Sequence, residues 1–384
     1  MASGKLEELR VYLRRQPVML ALVTGLAVIF FLAVTGLSRA YQAQRGALGS
    51  RWYSRGLADL RAQHFDSAVT EFRSALLYSP DDYAYQLDLA EALIGLKRTA
   101  EASTYLLTLW DRQPDDGLVN LELARIAVQK GQVEEAQRYY HNAIYAAWPG
   151  DRQDHQEARR RDARLELIEF LLQNKARAQA ESELIALAEN VGDDAALQQQ
   201  VGDLFVRTLD YERAFVFYRL SLKSNRHNRA AFAGAGAAAF ELGRYPEARK
   251  YLQSAVEANS DDAESAALLK TTELVLSMDP FQRQVSMAER NRIVIEAFAV
   301  AGERIKACAE KSSGTTKPGQ PNLAENWAKM KSRVTESQLR SNPDLVESAM
   351  DMVFDVERET SVNCEAPAGK DLALLLIAKL HEGN

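Results

Sequence analysis

The stretch RWYSRGLADLRAQHFDSAVTEFRSALLYSP, residues 51–80, decides how the rest of the chain is read. Within it Trp52, Gly56, Phe65, Ala68, Phe72, Ala75 and Pro80 form a frame that returns along the sequence. Ala68, Ala102 and Ala136 are 34 residues apart; after one step of 44, Ala180, Ala214 and Ala248 are again 34 apart. That period denotes a stacked two-helix repeat. Twelve residues before each alanine stand Gly56, Ala90, Ala124, Ile168, Gly202 and Gly236, so five copies of six carry a small residue on the first helix. One turn after each alanine come Phe72, Leu106, Tyr140, Leu184, Tyr218 and Leu252, large side chains that fill the seam opened by the small pair. Pro80, Pro114 and Pro149 end second helices in copies one to three, because proline breaks the helical ladder.

This frame resembles the tetratricopeptide repeat (TPR), and the resemblance covers residues 49–262 in six copies. It implies an all-α solenoid of helical hairpins that serves as a binding scaffold, with the first helices lining a groove for a partner protein or peptide. Tyr53, Leu57, Leu87, Glu91, Leu121 and Arg125 occupy groove-facing places. The lysines and asparagines with which one branch of the family grips C-terminal carboxylates are therefore missing. Inward or near-inward places hold Asp88, Glu91, Glu122, Glu166, Glu169 and Asp203 against Arg61, Arg125 and Arg207. An acidic concavity focuses potential and favours a basic ligand; the competing reading is a set of solvated helix faces.

Composition agrees with an all-helical chain. The 384 residues are 47% hydrophobic and 26% charged, and acidic residues outnumber basic ones by 53 to 47. Nucleic acid is not expected as a partner, since phosphate binding calls for a basic excess. The five histidines, His64, His141, His155, His227 and His381, show no metal-ligand spacing, and no metal or cofactor is implied. Gly-Ala-Gly at 234–236 lacks the Gly-Lys-Ser/Thr ending of a phosphate loop. No nucleophile elbow, kinase or zinc-protease motif is present, so no catalytic residue is assigned.

In chain order, residues 1–16 form a basic lead with Lys5, Arg10, Arg14 and Arg15. Residues 17–38 are free of charge and span about 33 Å as a helix, enough to cross a bilayer. A signal peptide cleaved near Ser38 and Ala40 is the alternative, but its apolar core is ordinarily about 7–15 residues. The expectation is an uncleaved single-pass anchor. Arg39, Arg45, Arg51 and Arg55 balance the basic residues before it, so the charge bias fixes no orientation. A bacterial inner-membrane protein with its repeats outside the cytoplasm is expected because the short N-terminal segment is the simpler one to retain.

Residues 39–50 are expected as a linker and 51–279 as the six repeats with a capping helix over Glu264–Ser277. Ten extra residues within Asp151–Asp162 are expected to lengthen the first helix of repeat four by about three turns, making it the longest first helix. Arg159, Arg160, Arg161 and Arg164 there form either a docking patch for anionic lipid or an acidic partner, or a solvated face paired with Glu157, Asp162 and Glu166. Residues 280–384 form a smaller helical region with helices over Arg283–Glu310, Leu323–Leu339, Asp344–Glu359 and Lys370–His381, and a Ser/Gly/Thr/Pro loop over Ser312–Asn322. Cys308 and Cys364 would staple it in an oxidising compartment and remain two small thiols in the cytoplasm. The expected function is a membrane-anchored scaffold, serving an envelope or secretion assembly. The alternative is an enzyme or enzyme subunit with its active region in residues 280–384, told apart by whether those helices fold back on the repeats or build a polar pocket.

Overall fold

The computed structural model describes residues 2–148, 153–311 and 323–382. Among these the chain is helical, with one isolated parallel bridge between Asp116 and Ala147 in place of any strand. The first helix is α1 (Ala2–Arg61), followed by α2 (Phe65–Tyr78), α3 (Tyr83–Gly95), α4 (Thr99–Arg112), α5 (Gly117–Gln129) and α6 (Val133–Tyr145). Then come α7 (Gln153–Gln173), α8 (Arg177–Ala188), α9 (Ala195–Thr208), α10 (Tyr211–Ser224), α11 (Arg229–Glu241), α12 (Tyr245–Ala258) and α13 (Ala263–Met278). The last five are α14 (Met287–Lys311), α15 (Leu323–Lys331), α16 (Glu336–Ser341), α17 (Asp344–Asn363) and α18 (Lys370–Leu380). The chain divides into two compact units, residues 1–170 and 171–384.

The ends of the repeat helices are set by local chemistry. Asp82, Asp116, Asp194, Asn228 and Asp262 cap the N-termini of α3, α5, α9, α11 and α13, each side chain accepting a backbone N–H three residues on at 3.0–3.3 Å. These caps satisfy donors that a helix start leaves orphaned. Between the two helices of every hairpin one residue has positive φ: Gln63, Lys97, Gly131, Lys175, Leu209 and Gly243. The N–H that follows it reaches back five residues in all six turns, from His64 to Asp59 at 2.8 Å through Arg244 to Ala239 at 2.9 Å. This is the Schellman closure, which prefers glycine at the left-handed position. Leu209 meets that position with a branched side chain that is 52% exposed. Leu209→Gly is therefore expected to raise stability by about 1 kcal/mol in denaturant titration, a left-handed non-glycine residue costing about 1–2 kcal/mol before glycine's greater unfolded entropy is deducted.

In the first unit, α1 is a single helix of 60 residues. Side chains from Met19 to Leu37, half-buried Thr35 apart, are exposed, and the segment is long and apolar enough to cross a membrane. Residues 39–50, expected as a linker, continue the helix into the first repeat, where Gly49 is the first buried position. The first helix of repeat one is consequently the longest, against the expectation for repeat four. A Cβ placed at Gly56 would lie 2.6 Å from the Phe72 ring, so the small residue makes room for the large one a turn beyond the alanine. After α6 the chain turns back along the start of α5: Gly117 N–H donates to the Ala147 carbonyl at 2.9 Å, and Ala147 N–H to Asp115 at 3.1 Å. Trp148 is buried there, its indole N–H on the Ala143 carbonyl.

The described part of α7, 21 residues from Gln153, exceeds the 13 of α3 and α5 by about two turns. Its arginines hold the turned-back segment. Arg159 lies over the Trp148 ring at 5.5 Å, Arg160 donates to the Ala146 carbonyl at 3.0 Å, and Arg164 lies over Tyr145 at 5.8 Å. Neither sequence reading of this cluster anticipated that packing; Arg161, 3.8 Å from Asp162, keeps to the solvated pairing.

In the second unit the Tyr218 ring is received from both sides, by Gly202 on α9 and Gly234 on α11, while Gly236 receives Leu252. The C-terminal helices fold back on the repeats. Val275 and Met278 of α13 share one core with Val294 and Phe298 of α14, Val353 of α17 and Leu374 of α18. The expected helix over Leu323–Leu339 is two helices: Thr335 caps α16, accepting Gln338 N–H at 3.4 Å, and Val334 before it enters the core. Trp327 of α15 stacks on Phe298 at 5.3 Å. The Ser312–Asn322 loop lies outside the described residues. Cys308 at the end of α14 and Cys364 after α17 are paired, with Cα atoms 5.7 Å apart, inside the span of a disulfide. For a sequence separation of 56 the loop-entropy model gives about 4 kcal/mol. Replacing both cysteines by serine is expected to lower the stability of the C-terminal helices by an amount of that order, measured by hydrogen exchange of α14 and α17.

Candidate groove of the first unit

Register places Tyr53 on α1, Asp88 and Glu91 on α3, Glu122 and Arg125 on α5, and Glu166 and Glu169 on α7. Two constellations form. Tyr53 stacks on the Tyr85 ring at 4.4 Å and donates its hydroxyl to Asp88 Oδ2 at 2.6 Å, tying α1 to α3. Burial and the neighbouring carboxylate push the Tyr53 hydroxyl up; burial also raises Asp88, opposed by the bond from Tyr53.

The second constellation centres on Arg125. Its Nη1 donates to Glu122 Oε1 at 2.6 Å, while Nε and Nη2 form a two-pronged contact with Glu166 at 3.0 and 2.5 Å. Tyr140 completes it, hydroxyl to Glu166 Oε2 at 3.3 Å. The guanidinium fork suits a carboxylate in this geometry and links α5 to α7. The Glu122 side chain is 14% exposed, and burial raises its carboxyl in spite of Arg125. Glu91 differs in being exposed. Desolvation raises it first, then Asp88 and Glu122, with Arg159 opposing.

Of the acidic residues read from the sequence, Asp88, Glu122 and Glu166 are thus engaged within the fold. Glu169 is half-buried and has contacts of its own. Asp203 lies in the second unit, exposed, accepting the Tyr218 hydroxyl at 2.7 Å. The sequence reads Tyr140 as packing alone, and it reads Arg159 as part of the α7 patch without its action on Glu91. Among the described residues no cluster of His, Cys, Asp and Glu suits a metal ion.

Arg125→Ala is expected to destabilise the full chain by about 1–2 kcal/mol at pH 7, less than a fully buried pair would because the arginine is 42% exposed. The lost interaction needs ionised carboxylates, and burial holds the Glu122 carboxyl above its ordinary value, so the difference from wild type should begin to shrink before pH falls to the usual carboxylate range and be small well below it. Parallel urea titrations at pH 7 and pH 3.5 measure both.

The tetratricopeptide-repeat family model matches residues 59–120 and 210–271. No curated protein matches the chain. Among solved structures, PilF of Pseudomonas aeruginosa is 17% identical, covering 58% of this chain and 97% of its own, with a TM-score of 0.41. PilW, described as a type IV pilus biogenesis factor, is 15% identical over 59% of this chain and 98% of its own, at 0.40. The C-terminal part of a TPR protein from Cytophaga hutchinsonii is 12% identical over 72% and 98%, at 0.45. The family model covers about a third of the chain, and the six helical hairpins are TPR-like in arrangement.

Proposed function

We propose that this chain is a single-pass scaffold of a bacterial inner membrane that holds a basic segment of a partner protein in the groove of its first unit. The observation that carries the reading is α1: an exposed apolar helix that runs on without interruption into the first repeat. An unburied stretch of this kind has no counterpart in a water-facing surface. The cysteine pairing supports placement of the repeats outside the cytoplasm, where disulfides persist. The C-terminal helices bury their apolar faces on α13, which favours a scaffold role over a separate catalytic region. A role in an envelope or secretion assembly is part of the proposal.

The groove retains an acidic excess after its internal pairs are formed, and Glu91 is its most accessible acid. Glu122 is needed by Arg125, so reversing its charge would perturb the fold along with the ligand. Glu91→Lys is the cleaner probe. With the full chain in native membranes, a photocrosslinker at residue 91 is expected to capture a protein whose contact peptide carries Lys or Arg. Glu91→Lys should lower its co-purification at least fivefold at low salt, with unchanged helicity. Undiminished co-purification would remove the groove from the account, and a cytoplasm-only reporter active after Asn384 would reverse the topology.

A further inference from the structure

Helix α17 carries a glutamate where the core offers it nothing. Glu357 is 0% exposed, and neither carboxylate oxygen has a hydrogen-bond partner. The Thr360 hydroxyl, one turn on, donates to the Val356 carbonyl at 2.7 Å. The cation that acts on the site, Arg304 of α14, is committed elsewhere. Its Nε donates to Thr360 Oγ1 at 3.3 Å, its Nη2 donates to the Glu365 carbonyl, and its Nη1 stands 3.7 Å from Asp371 Oδ2 of α18. Arg304 is 11% exposed and lies one turn before Cys308, so the disulfide and these contacts fix it. A second carboxylate, Asp371, therefore takes the arginine and repels Glu357. The remaining charged neighbour, Glu303 of α14, acts on Asp371 with the same sign.

An ionised carboxylate without partners is among the costliest groups to bury, and a protein avoids that cost by keeping the proton or by opening. We propose that Glu357 is a proton lock. The C-terminal helices stay closed on the end of the repeats only with its carboxyl group neutral, and its ionisation releases α17 from α14 and α18, uncovering the apolar end of α13. The released surface is considerable in kind: Val353, Leu374 and Ile377 lose their cover together with Val275 and Met278, all members of one core.

The titration agrees with the geometry. Burial first, then Asp371, pushes Glu357 up to about 8, with Arg304 opposing. A carboxyl raised in the folded state binds its proton more tightly there than in the open state. The stability it contributes is full below the open-state value of about 4.5, declines as pH rises, and is gone once pH passes about 8. Over that window the ratio of closed to open helices falls about tenfold per pH unit.

The test is hydrogen exchange of α17 and α18 in the full detergent-solubilised chain from about pH 5 to about pH 9, corrected for intrinsic rates. Protection in wild type is expected to fall about tenfold per unit up to about pH 8, while α10 and α11 hold theirs. Glu357→Gln and Glu357→Met, which cannot ionise, should show flat profiles. Asp371→Asn should bring the decline to its end at a lower pH, because a repulsive neighbour has been removed, an effect that a merely space-filling Glu357 would not show. Flat protection in wild type, or the wild-type slope in both Glu357 variants, would overturn the lock. Should the variants fail to fold, the carboxyl carbon resonance of Glu357 in the unaltered chain decides: a midpoint near 8 supports the proposal and one near 4.5 refutes it.

Discussion

Two helices joined by a short turn lie closest where one of them gives up its side chain, and most of the repeats depend on that exchange of volume. Phe72 presses on the backbone of Gly56, Tyr218 on those of Gly202 and Gly234, and Leu252 on that of Gly236. Each contact buries a large apolar group in space that a single methyl would fill, so the driving force and the geometric restriction are one feature. The alanines a turn earlier, all fully buried, keep the same seam narrow. Closure of the turns follows from this approach. The left-handed residue and its five-back hydrogen bond allow the chain to reverse within the distance that the packed helices leave, which is why even Lys97 and Leu209 accept the strain.

The period was readable because the seam repeats on a helical pitch, and the same period also stood in the sequence in two forms that went unread. The Asx caps at 82, 116, 194, 228 and 262 and the turn residues at 63, 97, 131, 175, 209 and 243 share the register of the alanines. The caps are Asp or Asn throughout and were available as a signal. The turn residues were not, since Gln, Lys and Leu do not advertise positive φ. Residues 39–50 read as a linker from their place between the apolar segment and the repeats, and that segment is helical because no residue in it stops a helix.

The candidate groove was legible as a set of positions and not as a set of contacts. Helical register put Tyr53, Asp88, Glu122, Arg125 and Glu166 on facing sides of neighbouring helices, but which acid Arg125 would choose depends on the distance between α5 and α7. That distance is governed by the turned-back segment at 146–148, a local β-bridge that no period predicts. The C-terminal third behaved likewise. Its helices were evident from apolar spacing, whereas the isolation of Glu357 arises from Arg304 being claimed by Thr360, Glu365 and Asp371, residues 56 to 67 positions further along the chain.

The unbroken course of α1 turns the joint between apolar segment and repeats into a matter of phase. A helix advances 1.5 Å and turns about 100° with each residue. With the apolar stretch seated in a bilayer, every residue between Ser38 and Gly49 acts as one step of a screw. Removing one would swing the groove of the first unit by more than a quarter turn about the helix axis while lowering it by little more than an ångström. Removing seven would restore its heading almost fully and lower it by about 10 Å. On the proposed anchoring, length in this segment is coded modulo the helical repeat, and a residue count would set the direction in which the candidate groove looks along the membrane.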